Sequence, residues 1–128
     1  MVKLLLVDDE KGITDSLKSF FAQRGFAVDT ADSGEKAIEK VKKDKPDIVF
    51  LDIRMRGMSG LEALKEIKKI DSNIRAIMLT ILEDKETVEQ AKALGADEYI
   101  TKPFKVDYLE QVVINKVQEL VKEKGEKG

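Results

Sequence analysis

Ile48-Val49-Phe50-Leu51-Asp52 is four apolar residues closed by an acid, and Leu4-Leu5-Leu6-Val7-Asp8 repeats that shape near the start of the chain. An apolar run without alternation suits a strand covered on both faces, as in a parallel sheet. Ala76-Ile77-Met78-Leu79 is a third such run and ends in Thr80. Ala27 to Ala31 and Glu98 to Thr101 are weaker strand segments, which fits less buried or edge positions.

Helical patterns fill the gaps. Ile13, Leu17, Phe20 and Phe21 follow the i, i+4, i+7, i+8 spacing, and Gly25 then offers a stop. Ser33 can cap a helix carrying Ala37, Ile38 and Val41, which Pro46 cannot continue. Ser59-Gly60-Leu61-Glu62 reads as a capping box before Leu64 and Ile67. Val88, Ala91 and Leu94 mark a short fourth helix closed by Gly95. Val106, Leu109, Val113, Val117 and Leu120 mark a longer fifth. Strand then helix, five times, predicts an α/β fold with a parallel sheet and right-handed crossovers. At 128 residues the chain is one domain, expected over 1–121, with a charged tail or linker start at 122–128. Helix 5 should project past the sheet, leaving Leu120 and Val121 partly exposed.

Composition narrows the chemistry. The 23 basic and 25 acidic residues nearly cancel to −2, so nothing points to direct nucleic-acid binding or an anionic membrane. There is no Cys and no His, which removes disulfides, thiol nucleophiles, Cys-ligated zinc, Ser-His-Asp triads and imidazole bases. No apolar run approaches the ~18 residues needed to span a bilayer. Acids at positions 8 to 10 interrupt the N-terminal apolar stretch too early for a signal peptide. A soluble, cytoplasmic protein is expected.

Ligands of such sheets bind beyond the carboxyl ends of the strands. Asp8, Asp9 and Glu10 follow strand 1, Asp52 ends strand 3, Thr80 ends strand 4, and Lys102-Pro103 follows strand 5. Singly, each has a plain structural reading: a helix cap, a turn residue, a β-branched strand residue, a solvated loop charge. Their coincidence at one edge has none. If strands 1 and 3 are neighbours, about 4.8 Å apart, their terminal carboxylates converge. Carboxylates at close quarters repel unless protonated or bound to a cation. All-oxygen ligation favours a hard ion, and Mg²⁺ needs few protein ligands. Metal, ammonium and hydroxyl around a carboxylate would suit phosphoryl transfer, with the carboxylate itself as nucleophile.

Val7-Asp8-Asp9-Glu10, Leu51-Asp52-Ile53-Arg54-Met55 with Met58 and Gly60, Leu79-Thr80, and Gly95-Ala96-Asp97-Glu98-Tyr99 leading to Lys102-Pro103-Phe104 together resemble the response-regulator receiver domains of two-component signalling, the CheY-like superfamily. The resemblance covers residues 2 to about 121. It implies a doubly wound, flavodoxin-like (βα)5 fold of strand order 2-1-3-4-5. It also implies that Asp52 accepts phosphate from a sensor histidine kinase or phosphotransfer protein. Asp9, Asp52 and the Arg54 backbone carbonyl would hold Mg²⁺, with Asp8 acting through metal-bound water. Lys102, behind a cis Lys102-Pro103 bond, would pair with the phosphoryl group. Thr80 and Tyr99 would switch the face of helix 4, strand 5 and helix 5 toward a downstream effector. Apart from the resemblance, partly exposed Leu120 and Val121 at the end of helix 5 would suit a phosphorylation-dependent homodimer contact or a lost downstream domain. Arg56 replaces the usual Pro. Ile81 replaces the usual small residue and is expected to modulate access to Asp52.

Three other functions compete. A phosphohydrolase with an Asp nucleophile generally needs an acid two residues on, where Arg54 stands. A nucleotide or flavin binder wants a Gly/Ser/Thr-rich loop after strand 1, where Asp8-Asp9-Glu10 would repel phosphate. A receiver-like scaffold that is never phosphorylated has the complete acid set against it.

Overall fold

Five parallel strands pair in the order β2-β1-β3-β4-β5: β1 Lys3–Val7, β2 Ala27–Ala31, β3 Ile48–Asp52, β4 Arg75–Ile81 and β5 Glu98–Lys102. The structure is a computed structural model that describes residues 1–81 and 85–127, with side chains described as far as Lys122. Helices α1 Lys11–Ala22, α2 Gly34–Lys43, α3 Gly60–Ile70 and α4 Lys85–Ala93 follow the first four strands. The last helix, α5, comprises a turn Val106–Tyr108, a wider segment Leu109–Val113 and an α-helical run Ile114–Lys127. This is the doubly wound, flavodoxin-like arrangement expected. The weak strand segments β2 and β5 occupy the two edges.

The pleat of each strand divides the core in two. Leu5, Val7, Val49, Leu51, Ala76 and Met78 face α2, α3 and α4, meeting Val41, Leu64 and Ile67. Leu4, Leu6, Ile48, Phe50, Ile77, Leu79 and Ile100 face α1 and α5, meeting Leu17, Phe21, Val113 and Val117. Phe21 anchors that second layer, with ring centroids 5.1 to 5.5 Å from Phe20, Phe26 and Phe50. Each such side chain contributes about 1.5–3 kcal/mol by leaving water.

The punctuation residues act as their chemistry requires. The Ser33 hydroxyl accepts from the Lys36 amide, and Ser59 and Glu62 close a reciprocal capping box. Gly25 and Gly95 end α1 and α4 at φ of 89° and 100°, a region costly for other residues. The plain reading of the first acids as helix caps fails, and one sequence expectation changes. Neither Asp8 nor Asp9 caps α1; Glu10 holds that place, with no side-chain capping bond. Leu120 is buried rather than half exposed. Leu109, Val113 and Val117 recur every four residues, a repeat that drifts round an α-helix of 3.6 residues per turn. All three, and Leu120 after them, lie against the sheet, and the segment Leu109–Val113 is wound more widely, with i→i+5 bonds. Val121 is partly buried, and the helical backbone runs on to Lys127, across the expected domain end at 121. Among the described residues no helix is long and apolar enough to cross a membrane.

Candidate functional site

Val7 lies opposite Leu51 in the β1–β3 register, so the residues that follow, Asp8 and Asp52, emerge side by side. The pleat puts them on one face. Leu4, Leu6 and Asp8 share a side of β1; Ile48, Phe50 and Asp52 share a side of β3; Ile100 and Lys102 share a side of β5. Ile81, paired with Lys102, falls on that side too, whereas Thr80 follows Met78 on the other. A two-residue period thus carries three charged groups and one apolar one to the same corner of the sheet.

There the Lys102 ammonium bridges the acids. Its Nζ lies 2.5 Å from Asp8 Oδ2, 3.4 Å from Asp52 Oδ2 and 4.0 Å from Glu10 Oε1. Asp8 and Asp52 are buried, Asp9 and Glu10 exposed. Backbone amides orient the carboxylates: Glu10 N–H donates to Asp8 Oδ1 at 3.0 Å, Arg54 N–H to Asp52 Oδ1 at 3.3 Å, and Arg56 N–H to Asp9 Oδ2 at 3.1 Å. The Lys102-Pro103 bond is cis.

Burial, then the neighbouring Asp8 charge, pushes the Asp52 carboxyl up to about 7, against the opposing pull of Lys102. Burial alone would lower Lys102. Its bonds and attraction to Asp8 and Asp52 outweigh that and raise it, so it stays charged at neutral pH.

The acids fit a hard cation. Asp8, Asp9 and Asp52 each offer an oxygen, and these atoms lie within 4.8 Å of one another. With no nitrogen or sulfur ligand in the set, the donor chemistry is that of a hard divalent cation and is consistent with Mg²⁺. Beside Asp52 opens a cavity of about 210 Å³ lined by Glu10, Arg54, Thr80, Ile81 and Lys102. The Thr80 hydroxyl donates to the Ile81 carbonyl at 3.3 Å rather than to a carboxylate. Ile81 is half exposed at the rim. Tyr99 stands behind, partly buried, its hydroxyl 3.5 Å from the Val88 carbonyl oxygen.

Sequence reasoning missed what Gly60 does. A β-carbon there would stand 2.1 Å from the Asp52 carbonyl oxygen and 2.7 Å from Ile53 Cα. Its amide donates to the Ile53 carbonyl at 2.8 Å. Glycine thus lets the start of α3 press against the Asp52 main chain. Its place in the capping box was legible; the clash needed coordinates.

A parallel sheet that gathers buried carboxylates and a paired lysine at its C-terminal edge, next to an open cavity, defines a receiver-type domain. Residues 4–114 match the model of the response regulator receiver domain. The sporulation initiation phosphotransferase F of Bacillus subtilis is 39% identical over 111 residues, covering 87% of this chain and 90% of its own. A chemotaxis protein CheY of Thermotoga maritima is 40% identical, over 80% and 86% of the two chains. Among solved structures, a CheY-like receiver domain of Methanospirillum hungatei superposes with a TM-score of 0.91 at 26% identity, covering 100% of this chain and 99% of that one. The response regulator TrrA of Thermotoga maritima, solved in complex with Mg²⁺-BeF, gives 0.80 at 38% identity, over 94% and 99%. Against other relatives the chain spans only part: 25% of the regulatory protein AtoC of Escherichia coli.

The chain belongs to the response regulator receiver family, the phosphorylation-activated switches of two-component signalling.

Proposed function

We propose that Asp52 is the phosphoryl acceptor of this switch, served by a sensor histidine kinase or a phosphotransfer protein. One observation carries the reading: Lys102 Nζ sits 2.5 Å from Asp8 and 3.4 Å from Asp52, beside a cavity that opens on Asp52. A buried carboxylate is thereby kept next to a fixed positive charge, where an incoming phosphoryl group would need one. An Asp52 oxygen attacks phosphorus. A new O–P bond forms, the donor's N–P bond breaks, and its electron pair returns to the imidazole, which takes up a proton. Lys102 exchanges carboxylate for phosphoryl oxygen as the negative charge moves outward. Thr80 turns its hydroxyl from the Ile81 carbonyl to the same group, and Tyr99 moves in behind it. The surface of α4, β5 and α5 then changes its preference for a downstream effector or a second copy of the chain.

Mg²⁺ is the cofactor we assign; Asp9, Asp52 and the Arg54 carbonyl would hold it, with Asp8 acting through metal-bound water. Bound there, it would supply charge neutralisation for the transfer. The Mg²⁺-BeF complex of TrrA supports the same ion here. Ile81, at the rim of the cavity, modulates access to Asp52. No turnover substrate is expected beyond the transfer onto Asp52 and its reversal by water. The cytoplasm, where the donors of receiver domains work, is the assigned location.

Incubation with Mg²⁺ and a small phosphodonor, followed by intact-mass analysis, tests the reading. One added phosphoryl group is expected. Asp52→Asn or chelation of the metal should abolish it. Unchanged labelling of Asp52→Asn would remove Asp52 as the acceptor.

A further inference from the structure

Glu10 makes no side-chain capping bond to α1. It stands at the N-cap of α1, but its backbone carbonyl, not its carboxylate, serves the helix: Ile13 and Thr14 N–H donate to it at 3.0 and 3.3 Å. The side chain is 68% exposed. Even so it is turned inward across the sheet edge, with Oε1 4.0 Å from Lys102 Nζ, and it lines the cavity beside Asp52. A carboxylate therefore stands at the mouth of the site and competes for the lysine that a phosphoryl oxygen must reach.

We propose that Glu10 is a specificity-determining residue that discriminates phosphodonors by charge. The proposal rests on Asp52 as acceptor and adds a selection step before it. An anionic donor entering the cavity meets the Glu10 charge at short range. It must also displace Glu10 from Lys102. Both effects grow with the donor's negative charge, and both fade with salt, because the rim is wet. A small, highly charged acyl phosphate is slowed. A donor of lower charge, or one delivered with its own cationic surroundings, is slowed less. The filter thus works against stray metabolic phosphodonors and leaves the site to a protein donor.

The test compares the parent chain with Glu10→Gln and Glu10→Lys at saturating Mg²⁺, using acetyl phosphate and phosphoramidate. With acetyl phosphate the Asp52 O–P bond forms as the donor's P–O bond breaks, and acetate leaves with the electron pair. With phosphoramidate the P–N bond breaks, and ammonia leaves after taking a proton. At a pH where acetyl phosphate is dianionic and phosphoramidate monoanionic, Glu10→Gln should speed the acetyl phosphate reaction roughly three- to sevenfold, the Coulomb factor at about 7 Å in water-like surroundings for one unit charge facing one to two. Phosphoramidate should gain less, Glu10→Lys should exceed Glu10→Gln, and the gain should collapse at high salt. Mg²⁺ affinity, measured by calorimetric titration without donor, should stay within twofold. Equal gains for both donors, no gain, or an effect that lives in the metal affinity would overturn the proposal. Failure of the acceptor assignment looks different: the parent itself would take up no phosphate, or Asp52→Asn would still take it up.

Discussion

Asp52→Asn should stabilise the folded protein in a way that depends on pH. In the native state the Asp52 carboxyl is raised from an ordinary 3.8 to about 7, by burial first and by the Asp8 charge second. A carboxyl that holds its proton more tightly when folded stabilises the fold fully below its unfolded value, and that contribution is lost as pH rises through its folded value. Each tenfold in acidity is about 1.4 kcal/mol, so by pH 8 the ionised Asp52 costs the fold up to about 4 kcal/mol. That upper figure is already net of the attraction to Lys102, 3.4 Å away, which Asp8 alone then holds. The net gain expected from Asn is therefore about 2–4 kcal/mol at pH 8, a large share of the 5–15 kcal/mol typical of a domain. Urea denaturation in excess chelator, at pH 4 and pH 8, measures it. The gain should be near zero at pH 4 and full at pH 8. A gain of equal size at both, or a loss at pH 8, would refute the account of a strained acid pair.

Ile81→Ala, made at the half-exposed rim of the Asp52 cavity, should raise both phosphorylation by small donors and spontaneous hydrolysis several-fold; tenfold needs only about 1.4 kcal/mol less barrier, and rates within twofold of the parent would make Ile81 mere packing. Gly60→Ala would set a β-carbon 2.1 Å from the Asp52 carbonyl oxygen, so thermal denaturation should show a loss of about 1–3 kcal/mol from overpacking; an unchanged melting point would mean that α3 can retreat freely. Arg56→Pro deletes the amide that donates to Asp9 at 3.1 Å, while Arg56→Ala keeps it. Proline is the residue the family usually carries there, so calorimetry should find Mg²⁺ affinity within a few-fold of the parent in both variants; a loss of tenfold or more confined to Arg56→Pro would mean that this chain depends on the amide bond to Asp9.

Most of the fold was written in local signals. The apolar runs at Leu4–Val7 and Ile48–Leu51 became central strands, and Ser33, Ser59, Gly25 and Gly95 bounded helices where their caps and turns require. The acids of the site were legible for the same reason: they sit immediately after apolar runs, and a parallel sheet brings its carboxyl ends together. What the sequence could not supply was distance. Nothing local says that Lys102 prefers Asp8 to Asp52, or that Glu10 leans back over the sheet edge; both depend on side chains 94 and 92 positions apart along the chain. The wider turn at Leu109–Val113 has no local signal, because Leu109, Val113, Val117 and Leu120 fall within about 80° of one face of an ordinary α-helix.

Chemical mapping of the acceptor tests the central claim most directly. After reaction with Mg²⁺ and a phosphodonor, borohydride reduction converts an acyl phosphate of aspartate to homoserine, which peptide sequencing by mass spectrometry locates. The account predicts homoserine at position 52 and nowhere else, with none formed when the metal is chelated. Homoserine at position 8 or 9, or a phosphate that resists reduction, would contradict it.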